Sequence, residues 1–147
     1  MPRKLAALIR PSGYYNIKAR RIKSFIRFLF ETFDGNLNNM FSTETGVLRD
    51  MLLGVSGIGP ETADSILLYA GNKPVFVVDA YTRRIFGRLG LVRGGETYDD
   101  IQRFFMKHLP GDVQLYNDYH AQIVALGKDM CRPQPRCALC PIRTHRC

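Results

Sequence analysis

The sequence predicts an all-α protein, and three observations support this fold class. Apolar residues recur at helical spacing in several segments, no segment shows the regular alternation of a half-buried strand, and no internal repeat is present. With 147 residues, of which 46% are hydrophobic, the chain can form one domain or slightly more around an apolar core. Its 21 Lys and Arg against 13 Asp and Glu give a charge of +8, which favours an anionic partner such as nucleic acid.

The composition also argues against several classes of protein. Nine Phe and seven Tyr supply apolar area that a disordered chain lacks. No run approaches the roughly 18 apolar residues of a membrane span, and the apolar stretch at residues 5–9 is too short for a signal peptide. We therefore expect a soluble cytoplasmic protein with no membrane partner and no obligate protein partner.

The first predicted helix covers residues 16–33. Its apolar positions follow helical spacing, and they are Ile22, Phe25, Ile26, Leu29 and Phe33. Its polar side is basic, which fits either a solvated face or a DNA contact. A loop is predicted at 34–39, because Asp, Gly and Asn residues cluster there, and a second helix is predicted at 43–53.

Closely spaced glycines connect this second helix to the next one. Gly57 and Gly59 lie between the two helices, and Pro60 stands at the first position of the third, where its missing N–H is harmless. The third helix continues to Ala70. Glycines let backbone approach a ligand closely, and amides at a helix N-terminus bind phosphate without sequence specificity. A tight turn between two helices with no ligand has the same pattern.

A buried apolar run is predicted at 75–78, and Asp79 follows it directly. Because Asp79 precedes a helix predicted at 80–89, its simplest role is that of an N-cap. Two further helices are predicted at 97–109 and 116–126, and the second of these leads into the cysteines.

All four cysteines lie in the last 17 residues with the spacing C-x5-C-x2-C-x6-C, and they are Cys131, Cys137, Cys140 and Cys147. Four thiols this close can surround one metal centre. The wide outer gaps favour an iron–sulfur cluster over a zinc site made of two short knuckles, and zinc or plain structural thiols stay open on spacing alone. Arginines between the cysteines, Arg132 and Arg136 among them, can contact phosphate or offset the charge of a thiolate cluster.

Two segments carry a resemblance to a known family. Residues 53–63 read LGVSGIGPETA and residues 74–84 read PVFVVDAYTRR, and the four terminal cysteines follow at the expected interval. In these features, and in residues 13–19, the chain resembles the endonuclease III family within the helix-hairpin-helix DNA glycosylase superfamily. The longer cysteine gap comes last here rather than first, which leaves the number of ligands unchanged.

The resemblance implies a fold, a cofactor and a substrate. The fold is the helix-hairpin-helix DNA glycosylase fold, and the cofactor is a [4Fe-4S] cluster on the four cysteines. The substrate is double-stranded DNA with a damaged base, so the protein is expected to be associated with the nucleoid. The expected DNA-binding residues are Gly57, Ile58, Gly59, Thr62, Arg132 and Arg136.

The resemblance also assigns catalytic roles to individual residues. Asp79 lies at the family's catalytic aspartate position, where a carboxylate stabilises the positive charge that builds on the sugar as the base leaves. Glu61 stands where the lyase members carry a lysine, and a carboxylate cannot form an imine. A monofunctional glycosylase is therefore expected. A bifunctional glycosylase and AP lyase using another amine, and a DNA-binding fragment without catalysis, are the alternatives.

Substrate choice and chain length complete the expectations. Glu61 and Tyr81 are pocket candidates, and Glu61 also suits a helix N-terminus as an acid. The residues around them are most similar to the 3-methyladenine-type branch.

Two domains are expected. The first, 1–72, is an incomplete helical barrel with the hairpin at about 43–71. The second, 73–147, contains the Asp79 helix and the cluster loop 131–147. The family is longer, so an N-terminal part is expected to be missing, and the barrel to leave apolar faces exposed.

Overall fold

The structure is a computed structural model that describes residues 2–143, with side chains from Lys4 onwards. Within this range every regular element is helical and no β-strand occurs, which confirms the all-α prediction. The α-helices are α1 (Pro2–Leu8), α2 (Tyr15–Phe33), α3 (Leu37–Ser42), α4 (Thr45–Leu53), α5 (Pro60–Ser65), α6 (Ala80–Arg88), α7 (Tyr98–His108) and α8 (Val113–Asp129). A π-helical turn, Ile66–Ala70, continues α5, and short 3-10 turns lie at Arg10–Ser12 and Cys137–Leu139. None of the helices described is both long and apolar enough to cross a membrane.

The chain forms two compact units, and the boundary between them lies inside α5. The first unit ends at Ala63 and the second begins at Asp64. The division into 1–72 and 73–147 stays a prediction, and the two units are described separately below.

In the first unit, α2 packs against α1 and α3. The prediction for α2 is confirmed to within one residue, whereas α1 was not predicted. The predicted loop at 34–39 is too long, because α3 begins at residue 37. Asn36 starts that helix, since its side-chain oxygen accepts the amides of Asn38 and Asn39 at 2.9 and 3.2 Å. An asparagine favours both turns and N-caps, so residue type alone does not separate the two.

The apolar side of α2 is only partly covered. Leu29 is buried, but Ile22 and Ile26 are 41% and 44% exposed although helical spacing placed them inward. Phe30 is 62% exposed on the same helix. The apolar face of α2 is therefore wider than the surface that packs on it, in line with the expectation of exposed apolar helix faces.

The second unit is built around an aromatic core. Phe76 is fully buried and stacks on Phe105, with ring centroids 4.2 Å apart. Tyr116 and Tyr119 of α8 meet the edge of Phe76 at 5.5 and 5.8 Å. The predicted apolar run at 75–78 is buried throughout, with no residue more than 4% exposed. Such aromatic contacts add to the hydrophobic free energy of burial.

Helices α6 and α8 pack closely at one point because α8 carries a glycine there. A Cβ at Gly127 would lie 2.3 Å from a ring carbon of Tyr81, so the tyrosine ring rests directly on the helix backbone. The guanidinium carbon of Arg84 lies over that ring, 5.0 Å from its centroid, and Arg84 donates to the carbonyl of Gly127 at 2.9 Å. These contacts attach the first turns of α6, directly after Asp79, to α8.

Helices α7 and α8 begin at side-chain caps. Thr97 and Asp100 form a reciprocal capping box at the start of α7. Asp112 accepts the amide of Leu115 at 2.6 Å, so α8 begins three residues before its predicted start at Tyr116. The signal was present in the sequence, because an aspartate before a helix is a preferred N-cap.

Candidate functional site

Asp79 lies where the buried run 75–78 ends and α6 begins, and its side chain closes the first turn of that helix. Its backbone is extended, with φ −114° and ψ −176°. One carboxylate oxygen, Oδ1, accepts the amide of Thr82 at 2.7 Å and the hydroxyl of Thr82 at 2.8 Å. The Thr82 hydroxyl in turn accepts the Asp79 amide at 3.4 Å, which completes a capping box. The expected N-cap is therefore present.

The other carboxylate oxygen of Asp79 faces away from the helix it caps. Nε2 of His120 lies 3.5 Å from Oδ2, and the two side chains are only 14% and 10% exposed. Nδ1 of His120 is hydrogen-bonded to the hydroxyl of Tyr69. A π-helical turn, the start of α6 and the middle of α8 thus bring three polar side chains together. We call these residues, Tyr69, His120 and Asp79, the polar triad.

Electrostatics in the polar triad favour an ionised carboxylate. Burial alone would raise the pKa of Asp79, but hydrogen bonds from His120 and Thr82 outweigh that cost and hold its pKa below the ordinary value. Burial, with a smaller contribution from the charge of Asp79, raises the pKa of the Tyr69 hydroxyl. Asp79 is thus a negative charge near neutral pH, next to a neutral phenol.

The lowered pKa of Asp79 predicts a pH-dependent contribution to stability. The unfolded chain regains the ordinary carboxyl pKa of about 4. The ionised group therefore stabilises the folded state fully above that value, and this stabilisation is lost as the pH falls through the lower folded pKa. In urea unfolding at a series of pH values, we expect the stability difference between wild type and Asp79→Asn to shrink at acid pH. A difference that is constant from pH 7 to pH 3 would contradict this.

Buried polar contacts hold the run that precedes Asp79. Gln102 donates at 2.7 Å both to the carboxylate of Asp64 and to the carbonyl of Phe76, and Asp64 and Gln102 are both buried. The amide of Val78 donates to the hydroxyl of Tyr98 at 3.2 Å. Because no neighbouring strand pairs with this extended segment in the part of the chain described, side chains of α7 satisfy its backbone groups.

The predicted hairpin residues lie in the turn between α4 and α5 or on the first turn of α5. Gly57 has φ +90°, and a Cβ there would lie 2.4 Å from Cγ of Arg21, so the turn requires glycine in both conformation and space. Nothing lies within 4 Å of a Cβ built at Gly59, whose backbone is open on that side. Ile58 is buried, whereas Thr62 is exposed.

Basic side chains of α2 lie beside the hairpin. Arg20, Arg21, Ser56 and Gly57 contribute to the lining of a shallow hollow of about 210 Å³. The basic face of α2, predicted as either solvated or DNA-facing, therefore adjoins the glycine turn within the first unit. Glu61 lies in the first turn of α5 and is exposed. That position suits an acid at a helix N-terminus.

Tyr81 is placed by packing. Its ring contacts Gly127 and Arg84, whereas the carboxylate of Asp79 lies next to His120, seven residues before Gly127 on α8. Seven residues along an α-helix correspond to about 10 Å. The structure brings Asp79 together with His120 and Tyr69, and gives Tyr81 a contact of its own with α8.

Three of the four predicted cysteine ligands lie in the described part of the chain, and Cys147 lies outside it. Cys131 and Cys140 line one small enclosed cavity together with Arg88. Arg88 donates to Sγ of Cys131 at 3.3 Å, and Arg84 donates to the Cys131 carbonyl at 2.7 Å. Among residues 2–143, no three His, Cys, Asp or Glu side chains gather closely enough to hold a metal ion.

The arginines of the cysteine loop contact backbone as well as solvent. Arg132 is exposed and donates through Nε to the carbonyl of Lys128 at 2.8 Å, at the end of α8. Arg136 is also exposed, and its amide donates to the carbonyl of Met130 at 2.9 Å. Both residues are exposed, as a phosphate contact would require.

Sequence reasoning did not identify Tyr69. Its only local signal is an aromatic residue at a half-exposed helical position, and it is 49% exposed. His120 lies within the helix predicted at 116–126, but its partner could not be read from the sequence. Tyr69 and His120 are 51 residues apart in the chain, and their contact depends on how α8 packs on the π-helical turn.

Comparison with protein families and proteins of known sequence gives a consistent match. The family model of the HhH-GPD superfamily of base excision DNA repair proteins matches residues 1–111. A proposed DNA repair glycosylase of Methanocaldococcus jannaschii is 49% identical over 142 residues, which cover 95% of this chain and 64% of that protein. The chain therefore spans just under two thirds of the length of this relative.

Comparison with solved structures gives the same length relation. A non-covalent complex of endonuclease III with DNA superimposes with a TM-score of 0.77 at 27% identity, covering 96% of this chain and 62% of that one. A 3-methyladenine DNA glycosylase of H. pylori, bound to 1,N6-ethenoadenine, superimposes with a TM-score of 0.76 at 35% identity, covering 87% of this chain and 63% of that one.

Proposed function

The chain belongs to the HhH-GPD superfamily of base excision DNA repair proteins, and on that premise we propose that it is a DNA glycosylase. In this proposal it removes a damaged base from duplex DNA by hydrolysing the N-glycosidic bond. The proposal rests mainly on one observation, the buried and ionised carboxylate of Asp79 at the start of α6. Since the relatives are longer than this chain, activity, substrate and partner are all proposed for the chain rather than taken over from them.

The chemistry requires a fixed negative charge. When the bond between the base and C1′ breaks, its electron pair leaves with the base, and positive charge develops on C1′ and the ring oxygen. A carboxylate held nearby stabilises this charge without reorganisation at the moment of reaction. Thr82 holds Oδ1 of Asp79 with two hydrogen bonds, and Nε2 of His120 lies 3.5 Å from Oδ2. Water then bonds to C1′ through its oxygen, its proton is released, and the departing base is protonated.

The damaged base must leave the stack before the bond can be attacked, so the protein has to grip the phosphate backbone. We propose that the turn at Gly57, Ile58 and Gly59, with Thr62 at the first turn of α5, binds phosphate through backbone amides. The open backbone at Gly59 and the neighbouring Arg20 and Arg21 support this role. Arg132 and Arg136 are proposed as further phosphate contacts.

A modified purine is the proposed substrate class. The structure matched at 35% identity is named as a 3-methyladenine DNA glycosylase, whereas the endonuclease III complex is matched at 27%. A panel of duplexes, each with one lesion, tests the proposal by release of free base. We expect release from duplexes carrying an alkylated or etheno-modified adenine. Tight duplex binding without release from any lesion would instead support a non-catalytic DNA-binding fragment.

We propose that the reaction is monofunctional, because Glu61 occupies the position of the lyase lysine. Borohydride reduction during incubation with abasic DNA would trap an imine between protein and C1′. We expect no covalent adduct with wild type, and a trapped adduct with Glu61→Lys, which restores an amine at that position. An adduct formed by wild type would contradict this and favour the bifunctional alternative.

We further propose that Cys131, Cys137, Cys140 and Cys147 hold a [4Fe-4S] cluster. The donor chemistry fits, because Cys131 and Cys140 share one cavity and the guanidinium of Arg88 donates to the sulfur of Cys131. Cysteine sulfurs are the ligands that hold the iron atoms of such a cluster. When bound, the cluster would act as a structural anchor for the loop that carries Arg132 and Arg136.

The cluster proposal predicts a measurable metal content. Protein purified without oxygen should contain about four irons and four sulfides per chain and absorb broadly in the visible range. Cys140→Ser should lower the iron content, while Ser65→Ala, on α5, should not. Colourless protein with one equivalent of zinc would overturn the assignment.

A further inference from the structure

We propose that His120 is a positioning residue for Asp79, held in one tautomer by Tyr69. The proposal deepens the glycosylase proposal and rests on it for its catalytic meaning. Neither Tyr69 nor His120 was expected to take part in the reaction, and both contribute directly to the polar triad.

The hydrogen-bond partners of His120 determine where its proton lies. The Tyr69 hydroxyl has its own proton to donate, and the pKa of that hydroxyl is raised, so the phenol stays protonated. When Nδ1 of the neutral ring accepts this proton, Nε2 must carry the N–H. Nε2 is buried and has no hydrogen-bond partner in the part of the chain described. Oδ2 of Asp79 lies 3.5 Å from it, so a small shift of either side chain would let the N–H donate to this oxygen.

This arrangement uses both oxygens of the carboxylate. Oδ1 is taken by the amide and hydroxyl of Thr82, which anchor it to α6. Oδ2 lies 3.5 Å from His120, which comes from α8. Without His120, the carboxylate would keep its bonds to Thr82 and lose its contact with α8. A charge that must face C1′ loses effect when it moves, so the contact from α8 is the one that fixes its direction.

Tyr69 links this buried pair to the surface. Its ring is 49% exposed and lies 5.9 Å from the ring of His120, between centroids. The side chain sits on a π-helical turn, a local widening of the helix that occurs often at functional sites. The groups that face Asp79 are thus the hydroxyl and amide of Thr82 from α6, the imidazole of His120 from α8, and the phenol of Tyr69 beyond it.

The first experiment measures the carboxyl group directly, without any substrate. Carbon-13 NMR of labelled aspartate follows the titration of Asp79 in wild type, His120→Ala, His120→Gln and Tyr69→Phe. We expect the pKa of Asp79 to rise in His120→Ala, because burial is then opposed by Thr82 alone. His120→Gln restores an N–H donor and should return the titration toward that of wild type. Tyr69→Phe should cause a smaller rise.

The matched control is His108→Ala. His108 is exposed at the end of α7 and bonds the carbonyl of Phe104 in its own helix, so its removal should leave the titration of Asp79 unchanged. An Asp79 titration that is the same in wild type and His120→Ala would overturn the proposal. If His120→Ala does not fold, Tyr69→Phe decides it, and an Asp79 titration that is the same in Tyr69→Phe and wild type would then overturn the proposal.

The second experiment measures base release by the same variants. A polar contact that forms fully with substrate bound corresponds to about a tenfold change in the single-turnover rate. We expect such a fall for His120→Ala with substrate affinity unchanged, and recovery in His120→Gln. An unchanged rate in His120→Ala would overturn the positioning role even if the titration moves. If wild type releases no base while the titration responds as expected, the glycosylase proposal fails and the contact from His120 to Asp79 stands.

Discussion

Asp79→Asn should slow base release by about 100-fold to 1000-fold while leaving the fold intact. Asparagine keeps the shape of the side chain and is as good an N-cap as aspartate, so its oxygen can still accept the amide of Thr82. What it loses is the negative charge that opposes the charge developing on the sugar. Removal of one preorganised electrostatic group costs about 100-fold to 1000-fold in rate. Single-turnover release of base, with circular dichroism to verify folding, measures both effects.

Asp112→Asn is the control for this prediction. Asp112 caps α8 as Asp79 caps α6, and its Oδ1 accepts the amide of Leu115 at 2.6 Å. The same chemical change at an exposed cap should leave base release unaltered. If Asp79→Asn retained a rate within about threefold of wild type, the carboxylate could not be the electrostatic group of the reaction.

Phe76→Ala should cost the second unit a large part of its stability. The side chain is fully buried, stacked on Phe105 and met at its edge by Tyr116 and Tyr119. Truncation of a buried Phe costs about 3–5 kcal/mol, against about 5–15 kcal/mol for a whole domain. The chain has no Trp, so tyrosine fluorescence can follow unfolding in urea. The transition of Phe76→Ala should move to markedly lower urea concentration.

Phe30→Ala provides the comparison for an exposed ring. Phe30 is 62% exposed on α2, so the same deletion should cost about 1 kcal/mol or less. If the two variants lost the same free energy of unfolding, the aromatic core would not be the main source of stability of the second unit. The Phe76 change should also disturb Asp79, because the cavity it leaves lies in the buried run directly before that residue.

Local signals were enough to predict most helices. Helical spacing of apolar residues located α2, α4, α6 and α7 to within two residues, because a packed helix needs one apolar side. The capping residues Asp79 and Thr97 set the starts of α6 and α7. Where two local signals compete, as in the Asp34 to Asn39 segment, prediction went wrong, and an asparagine expected in a loop begins α3.

The site was only half visible in the sequence, for a physical reason. The N-cap geometry of Asp79 depends on residues three positions away, so local pattern revealed it. The direction of its second oxygen depends on His120, 41 residues further along, through the packing of α8 against α6. That packing depends on the shapes of the side chains in the core. Periodicity shows only which positions face inward or outward, and it does not show which side chains meet. Tyr69 was missed for the same reason.

The contact between Tyr81 and Gly127 has a consequence for how related sequences can vary. Because the ring rests directly on helix backbone, a side chain at residue 127 is accepted only when residue 81 becomes smaller. Either substitution alone should lower the stability of the protein, so we expect residues 81 and 127 to change together. Among homologous chains, the two positions should covary, with glycine at 127 accompanying an aromatic residue at 81.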